Sequence, residues 1–424
     1  MPHTPIPNIP GVLLTDPTTK QHLSSHVSSL CGLSSNKFPG AQPVSFSAQS
    51  LDLLETMDFW VCEKSDGIRL LIFVVMNGMT GNQEVWLIDR KQQFYQVDNL
   101  HFPHWERASD PLTDTVLDGE LVIDIDPKTG TQVLRYYAFD CLVLNGDNIM
   151  KKTLISRFGR LREWVVKPFE RALRDLPEWR DNLPFEVVAK KQELSYNISQ
   201  VLNVHIPQLQ HGHDGLIFTC AESEYFPGTD EKILKWKPPS ENSIDFKIEL
   251  RFPPSNNPKE PDFFAKPEFL LHTWLGGNAH EYFDEMDISD EEWDEIKQSG
   301  EQLDDRIVEV CWDADRGTWK ILRMRDDKPN ANHKDIMYKI IASIQDGVEI
   351  DALISRSEAI RTAWKAREAA RRGTAPPAQQ VKRPPPAQVP MPPTPGARGS
   401  VGPGSGLPPT PSGAPAGVMA GLKR

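Results

Sequence analysis

The chain has 424 residues, 39% of them hydrophobic, enough for two or three domains with cores of their own. No stretch of about 18 consecutive apolar residues occurs, so no membrane span is expected, and MPHTPIPNIPGVLL lacks the charged and apolar regions of a secretory leader. A net charge of −12 argues against a broad, tight nucleic-acid surface but not a focused one; five scattered cysteines without a CxxC pair argue against disulfides and zinc.

In chain order, the first clear elements are strands. DFWVCE (58–63), IRLLIFVV (68–75) and EVWLIDR (84–90) are separated by short polar or glycine-containing turns. ELVIDID (120–126), a PKTG turn and LRYYAFDCLVL (134–144) continue this β-rich stretch. Residues 153–182 then read as helical, with apolar side chains at Leu154, Phe158, Leu161, Val165 and Phe169. Two further strands are expected at GLIFTC (215–220) and KILKWK (232–237). After KPPS, SIDFKIELRF, FLLHTWLG, RIVEVCWD and TWKILRMR place several strands close together, which suggests a small barrel. The acidic run 281–305 reads as a solvated helical face or insertion without a function of its own. Residues 336–372 have helical periodicity and end in AWKAREAARR, and 373–424, rich in Pro, Gly, Ser and Ala, is expected to be a disordered tail.

One constellation carries chemistry. Lys64-Ser65-Asp66-Gly67-Ile68-Arg69 joins two strands; alone it is also compatible with a charged hairpin turn bent at Asp66-Gly67. It has company: Asp118-Gly119-Glu120, Tyr137-Ala138-Phe139-Asp140, Asp214-Gly215, Lys235-Trp236-Lys237-Pro238 and Arg323-Met324-Arg325-Asp326-Asp327-Lys328. A lysine attacks phosphorus only as the neutral amine, and surrounding cations or a metal ion disfavour its charged form. Arg69, Lys235 and Lys237 are the cations on offer. Phosphoryl transfer also needs a neutralised leaving pyrophosphate, a task suited to Arg323, Arg325 and Lys328.

KSDGIR, DGE, YAFD, DGLIF, LKWKP and RMRDDK, in this order, resemble the motifs of the covalent nucleotidyltransferases, the superfamily of polynucleotide ligases and mRNA capping enzymes. Within it, FPGAQPVSF (38–46), SIDFKIEL (243–250) and WKILRMRDDKPNAN (319–332) are similar to the fungal capping-enzyme guanylyltransferases. The resemblance implies an α/β (α+β) fold, with an antiparallel-sheet nucleotidyltransferase domain over 1–242 and an OB-fold barrel lid over 243–332. A C-terminal helical segment over 333–372 and the tail would follow. It implies transfer of GMP from GTP through a lysyl-GMP intermediate on Lys64 to the 5′-diphosphate end of nascent mRNA.

The same resemblance assigns roles by position. Glu120 and Arg69 would contact the ribose, and Arg90 the ribose or phosphate. Phe139 would stack on guanine, although an aromatic in an apolar strand is equally suited to a core. Lys190 would read the purine 6-oxo group, with Lys191 as the alternative. Lys235, Lys237, Arg323, Arg325 and Lys328 would meet phosphates, with Asp327 orienting Lys328 or Arg325 or contacting the lysine-bound state. Asp214 would hold Mg²⁺ or Mn²⁺, against the plain reading of a turn residue. The expected partners are a separate RNA 5′-triphosphatase subunit and the phosphorylated C-terminal repeat of RNA polymerase II, and the expected location is the nucleus. A basic cluster of Lys151, Lys152, Arg157, Arg160 and Arg162 could receive phosphoserines or be an ordinary solvated helix face. His205, His211 and His213 read as surface loop residues, and Trp236 as core. The rival functions are an ATP-dependent polynucleotide ligase, which SIDFKIEL disfavours, and a catalytically inert adaptor docked on RNA polymerase II, which the intact Lys64 motif disfavours.

Overall fold

The computed structural model describes residues 5–374 apart from 258, 314 and 346. The expectation of a disordered tail therefore falls, beyond residue 374, outside the described residues. Among the described residues the strands form one sheet of eight and two of five.

The strand Ile68–Met76 explains the first sheet. Its LLIFVV run is buried at every position because its two faces feed different cores. Leu70, Ile72 and Val74 pack towards Phe158, Leu161 and Phe169 of the helical stretch, while Leu71, Phe73 and Val75 pack towards Leu23 and Val27 of the helix Pro17–Leu30. A strand covered on both faces shows an unbroken apolar run instead of alternation. The sheet continues through Thr115–Ile125 and Gln132–Leu144 to Glu186–Ala189, which pairs in parallel with its neighbour. The second sheet runs Glu193–Leu194, Phe59–Ser65, His213–Cys220, Gly228–Trp236, Ala41–Ser45, the last pair again parallel.

The segment from Lys64 to Arg69 is not a hairpin turn. Phe59–Ser65 pairs with His213–Cys220 in the second sheet, whereas Ile68–Met76 pairs with Gln83–Ile88 and Thr115–Ile125 in the first. The motif is the crossover between sheets, and the plain hairpin reading fails on this connectivity. Gly67 is required at the crossing, since a Cβ there would stand 2.3 Å from the Leu121 carbonyl oxygen.

The third sheet holds Ser243–Arg251, Glu268–Gly276, Ala279–Met286, Ile307–Asp313 and Thr318–Met324, all antiparallel. Its first strand in sequence is central, and its two edges curl towards each other as a half-barrel. Side chains close the gap: the Trp319 indole donates to Asp284 Oδ2 at 2.9 Å, and the Phe283 and Trp319 rings lie 6.2 Å apart. The helix Asp290–Ser299, started by a Ser289/Glu292 capping box, bridges the third and fourth strands. The acidic run is therefore not one solvated helical face: it is an edge strand followed by a helix, pinned by Met286, Ile288, Trp293 and Leu303 in the barrel core.

The C-terminal segment serves two cores. Lys334–Gln345 places Met337, Ile340, Ile341 and Ile344 on the half-barrel. Ile350–Ser355 and Ser357–Thr374 return to the second sheet through Leu353 and Ile360. Trp236, buried as expected, donates from its indole to the Val348 carbonyl at 2.7 Å, and Arg367 Nε to Asp58 at 2.8 Å. The half-barrel is thus an insertion held to the rest of the molecule at both of its ends.

Candidate active site

The crossover opens a cleft between the first two sheets. Lys64, Arg69, Arg90, Glu120, Phe139 and Lys190 all line it, with Glu63, Ser65, Asp118 and Tyr225. Lys64 ends one wall and Arg69 begins the other, so the motif's spacing places a nucleophile and a cation on opposite sheets.

Asp214 reaches Lys64 because the chain bulges there. Register shifts between His213 and Leu216, and Gly215 has φ of 146°, with a hypothetical Cβ 2.0 Å from the Trp236 carbonyl oxygen. The result is a Lys64 Nζ to Asp214 Oδ1 contact of 2.5 Å, with Lys237 Nζ 3.9 Å from Asp214 Oδ2. Burial, then the positive charge of Lys64, holds the Lys235 ammonium below its usual pKa. Asp214, Lys64, Lys235 and Lys237 thus form one electrostatic group at the cleft, and Asp214 is not an idle turn residue.

Arg69 is held inside the protein. Its Nε and Nη2 donate to Asp118 at 2.9 and 2.6 Å, and Nη1 donates to the Ala41 carbonyl. The Tyr225 hydroxyl donates to the same carboxylate at 2.5 Å. The guanidinium lies 5.6 Å over the Phe139 ring, which is half-buried and faces the cleft although its neighbours Ala138 and Asp140 are buried. In this state Arg69 shapes the wall beneath Phe139 and spends these donors on protein acceptors.

Lys190 is buried and Lys191 exposed, so the geometry favours the first of the two lysines. Lys190 Nζ lies 2.8 Å from Glu63 Oε1 and donates to Ser65 Oγ at 2.5 Å. Burial pushes the Glu63 carboxyl up, but the charge of Lys190 at 2.8 Å and the His211 ring at 3.8 Å overcome this and hold it at about 2.

Glu120 shows the opposite balance. Burial raises its pKa to about 7, against the pull of Lys190, Arg69, Arg90 and Lys64. A carboxyl raised from 4.5 to about 7 contributes stability that is complete below 4.5 and lost as pH rises through about 7. Glu120→Gln should therefore match the parent protein at low pH and gain on it up to about pH 7. Urea unfolding at about pH 5 and about pH 8 reads this, and an unchanged difference between the two would refute it.

Arg323, Arg325, Asp327 and Lys328 are brought together on the half-barrel, not at the cleft. Arg325 pairs with Asp327 through Nε at 2.8 Å and Nη2 at 2.7 Å, and with Asp245 at 3.0 Å; Arg323 Nε donates to Glu309 at 2.7 Å. Lys328 also bonds Asp245. Asp245, buried within SIDFKIEL, is the shared acceptor that ties this segment to the last motif.

Among the described residues no three His, Cys, Asp or Glu side chains gather as a metal cage. Asp214 offers one carboxylate beside the nucleophile, a donor set that fits Mg²⁺ or Mn²⁺ completed by phosphate oxygens and water.

Two readings of polar residues are corrected. His205 and His211 are buried, not surface loop residues. Backbone bonds from Ile125 N–H to Gln210 at 2.7 Å and from Asp66 N–H to Gly212 at 2.8 Å pull the 210–212 stretch against the strand Thr115–Ile125 and the crossover after Phe59–Ser65. Arg157 is not available to a phosphopeptide, since its side chain is 1% exposed and clamps Asp140. Glu63, Ser65, Asp124, Tyr225 and His211 went unnoticed as site-forming residues, and only the strand positions of Glu63 and Ser65, flanking Lys64, hinted at them.

The family models for "mRNA capping enzyme, catalytic domain" and "mRNA capping enzyme, C-terminal domain" match residues 7–239 and 241–354. The mRNA-capping enzyme subunit alpha of Schizosaccharomyces pombe is 40% identical over 84% of this chain and 89% of its own length. That of Saccharomyces cerevisiae is 35% identical, covering 86% of this chain and 88% of its own. A mycobacterial DNA ligase D structure complexed with ATP and MES is 16% identical, covers 68% of this chain and 95% of its own, and has a TM-score of 0.34.

Proposed function

The chain belongs to the mRNA capping enzyme family, and from that premise we propose that it carries GMP on Lys64 from GTP to the diphosphate end of nascent mRNA. The observation that supports this most directly is Lys64 held beside Asp214 where two sheets meet, in a cleft walled by Phe139 and Lys190.

The chemistry follows from these positions. The neutral Lys64 amine attacks the α-phosphorus of GTP; an N–P bond forms, the bond to the β-phosphate oxygen breaks, pyrophosphate departs and the amine loses a proton. In the second step an oxygen of the RNA 5′-diphosphate attacks the same phosphorus, the N–P bond breaks and Lys64 recovers a proton. Phe139 offers its ring to the base, Lys190 donates towards the purine 6-position, and Arg90 and Glu120 line the cleft for the ribose and phosphates. Asp214 would hold the divalent cation, which supplies charge neutralisation on the phosphates when bound. Arg323, Arg325 and Lys328 would exchange their present carboxylate partners for the leaving pyrophosphate when the half-barrel closes.

The proposal extends to a separate triphosphatase subunit, the phosphorylated polymerase repeat and a nuclear location. The name "subunit alpha" carried by the relatives supports the first of these.

The test is incubation with α-labelled GTP or ATP and a divalent cation, followed by a denaturing gel. Label from GTP alone, stable to base and lost in acid, is the expected result. Label from ATP instead would make the chain a ligase, and no label would leave the inert adaptor.

A further inference from the structure

Building on the guanylyltransferase reading, we propose that His211 and Asp124 form a buried positioning pair that sets the direction of the Ser65 hydroxyl. The cleft then offers a hydrogen-bond donor to a purine with oxygen at position 6 and disfavours one with an amino group there.

Ser65 lines the cleft, and its Oγ lies 2.5 Å from Lys190 Nζ and 2.9 Å from His211 Nε2. An ammonium only donates, so one lone pair of Oγ is taken by Lys190. One proton and one lone pair remain, to be divided between His211 and the cleft. Behind it, His211 Nδ1 lies 2.6 Å from Asp124 Oδ1. An ionised carboxylate only accepts, so Nδ1 carries its proton in either charge state and Nε2 is the variable atom. Neutral His211 draws the Ser65 proton to Nε2, leaving a lone pair towards the cleft. Imidazolium donates from Nε2, fills the last lone pair of Oγ and turns the hydroxyl proton into the cleft. Guanine presents an acceptor at its 6-position and adenine a donor, so only the imidazolium state suits guanine.

The surroundings favour that state. Asp124 faces His211 from the strand Thr115–Ile125, and Glu63 Oε1 lies 3.8 Å from Nε2 on Phe59–Ser65. Tyr137 and Arg135, from Gln132–Leu144, both bond Asp124 Oδ2, and the Tyr137 ring is 5.0 Å from the imidazole. Lys190, and His213 two residues along, also face this network, and the Lys190 charge opposes the imidazolium. Burial works against a charged His211, but its hydrogen bond to Asp124 and the nearby Glu63 carboxylate outweigh it and raise its pKa.

The test compares rates of lysyl-nucleotide formation with GTP and with 2,6-diaminopurine riboside triphosphate, which keeps the 2-amino group and differs along the 6-edge. From about pH 6 upward the preference for GTP in the parent protein should fall, by about tenfold once His211 has lost its proton. His211→Gln, whose amide can donate at every pH, should keep the preference without the slope. His211→Phe should show a reduced preference, also without slope. A flat preference in the parent protein, with GTP adduct forming normally, would overturn the inference alone. Absence of any GTP adduct would overturn the guanylyltransferase reading and this inference with it. The parent protein's own pH profile decides the matter even if the phenylalanine variant does not fold.

Discussion

Lys64→Ala is expected to abolish the covalent GMP adduct and lower RNA capping by a factor on the order of 10⁴ or more, the scale of losing a covalent nucleophile. The fold should not explain the loss. The Lys64 and Asp214 side chains are 31% and 32% exposed, and ion pairs of this exposure contribute about 0–1 kcal/mol. The variant should therefore unfold within about 1 kcal/mol of its parent in urea. Lys64→Arg sharpens the point. Arginine keeps a positive charge beside Asp214 but cannot lose its proton, so it too should form no adduct. An arginine variant that still took up label would mean that another residue carries the nucleotide.

The sequence announced the parts of this molecule whose burial is extreme. LLIFVV within Ile68–Met76 is apolar throughout because two cores meet at it, and the following long strands behave similarly. Elements stabilised by their neighbours left little local trace. Phe94–Val97 has four residues, Ala41–Ser45 contains Pro43, and Glu186–Ala189 is a strand only through parallel pairing with Gln132–Leu144. The edge strand Ala279–Met286 hid inside an acidic run, because only one of its faces meets the barrel. Pro17–Leu30 is rich in Ser, Thr and His and buries little beyond Leu23 and Val27. Lys64 and Asp214 were legible as members of motifs, since the chemistry proposed for them fixes their residue types. The pairings that build the cleft around them were not. Arg69 and Asp118 stand 49 positions apart and His211 and Asp124 87 apart, so only the paired sheets reveal them as partners.

Arg157→Ala is expected to lower stability by about 3–5 kcal/mol, because it strands a buried carboxylate. Arg157 and Asp140 side chains are 1% and 6% exposed, and the guanidinium binds Asp140 in a fork, with both bonds at 2.8 Å. Its Nη1 donates to the Ser223 and Lys152 carbonyls, which ties the helix Leu154–Arg160 to the loop before Tyr225. The guanidinium also lies 5.5 Å over the Tyr225 ring, whose hydroxyl supports Asp118. Loss of Arg157 would therefore loosen the wall behind Phe139 as well as the helix. Asp140 already has a raised pKa from burial, partly offset by Arg157, and removing the arginine raises it further. A raised carboxyl contributes stability below its unfolded pKa that is lost as pH rises through the folded value. The deficit of Arg157→Ala should accordingly shrink at about pH 5 and be largest at about pH 8. Replacing both partners with leucine should recover much of the loss, since a buried pair exchanged for apolar side chains is often neutral. Urea denaturation of the two single variants and the double variant at both pH values measures the coupling. A cost below about 1 kcal/mol for Arg157→Ala, with no pH dependence, would place Arg157 on the solvated helix face after all, where a phosphopeptide could reach it.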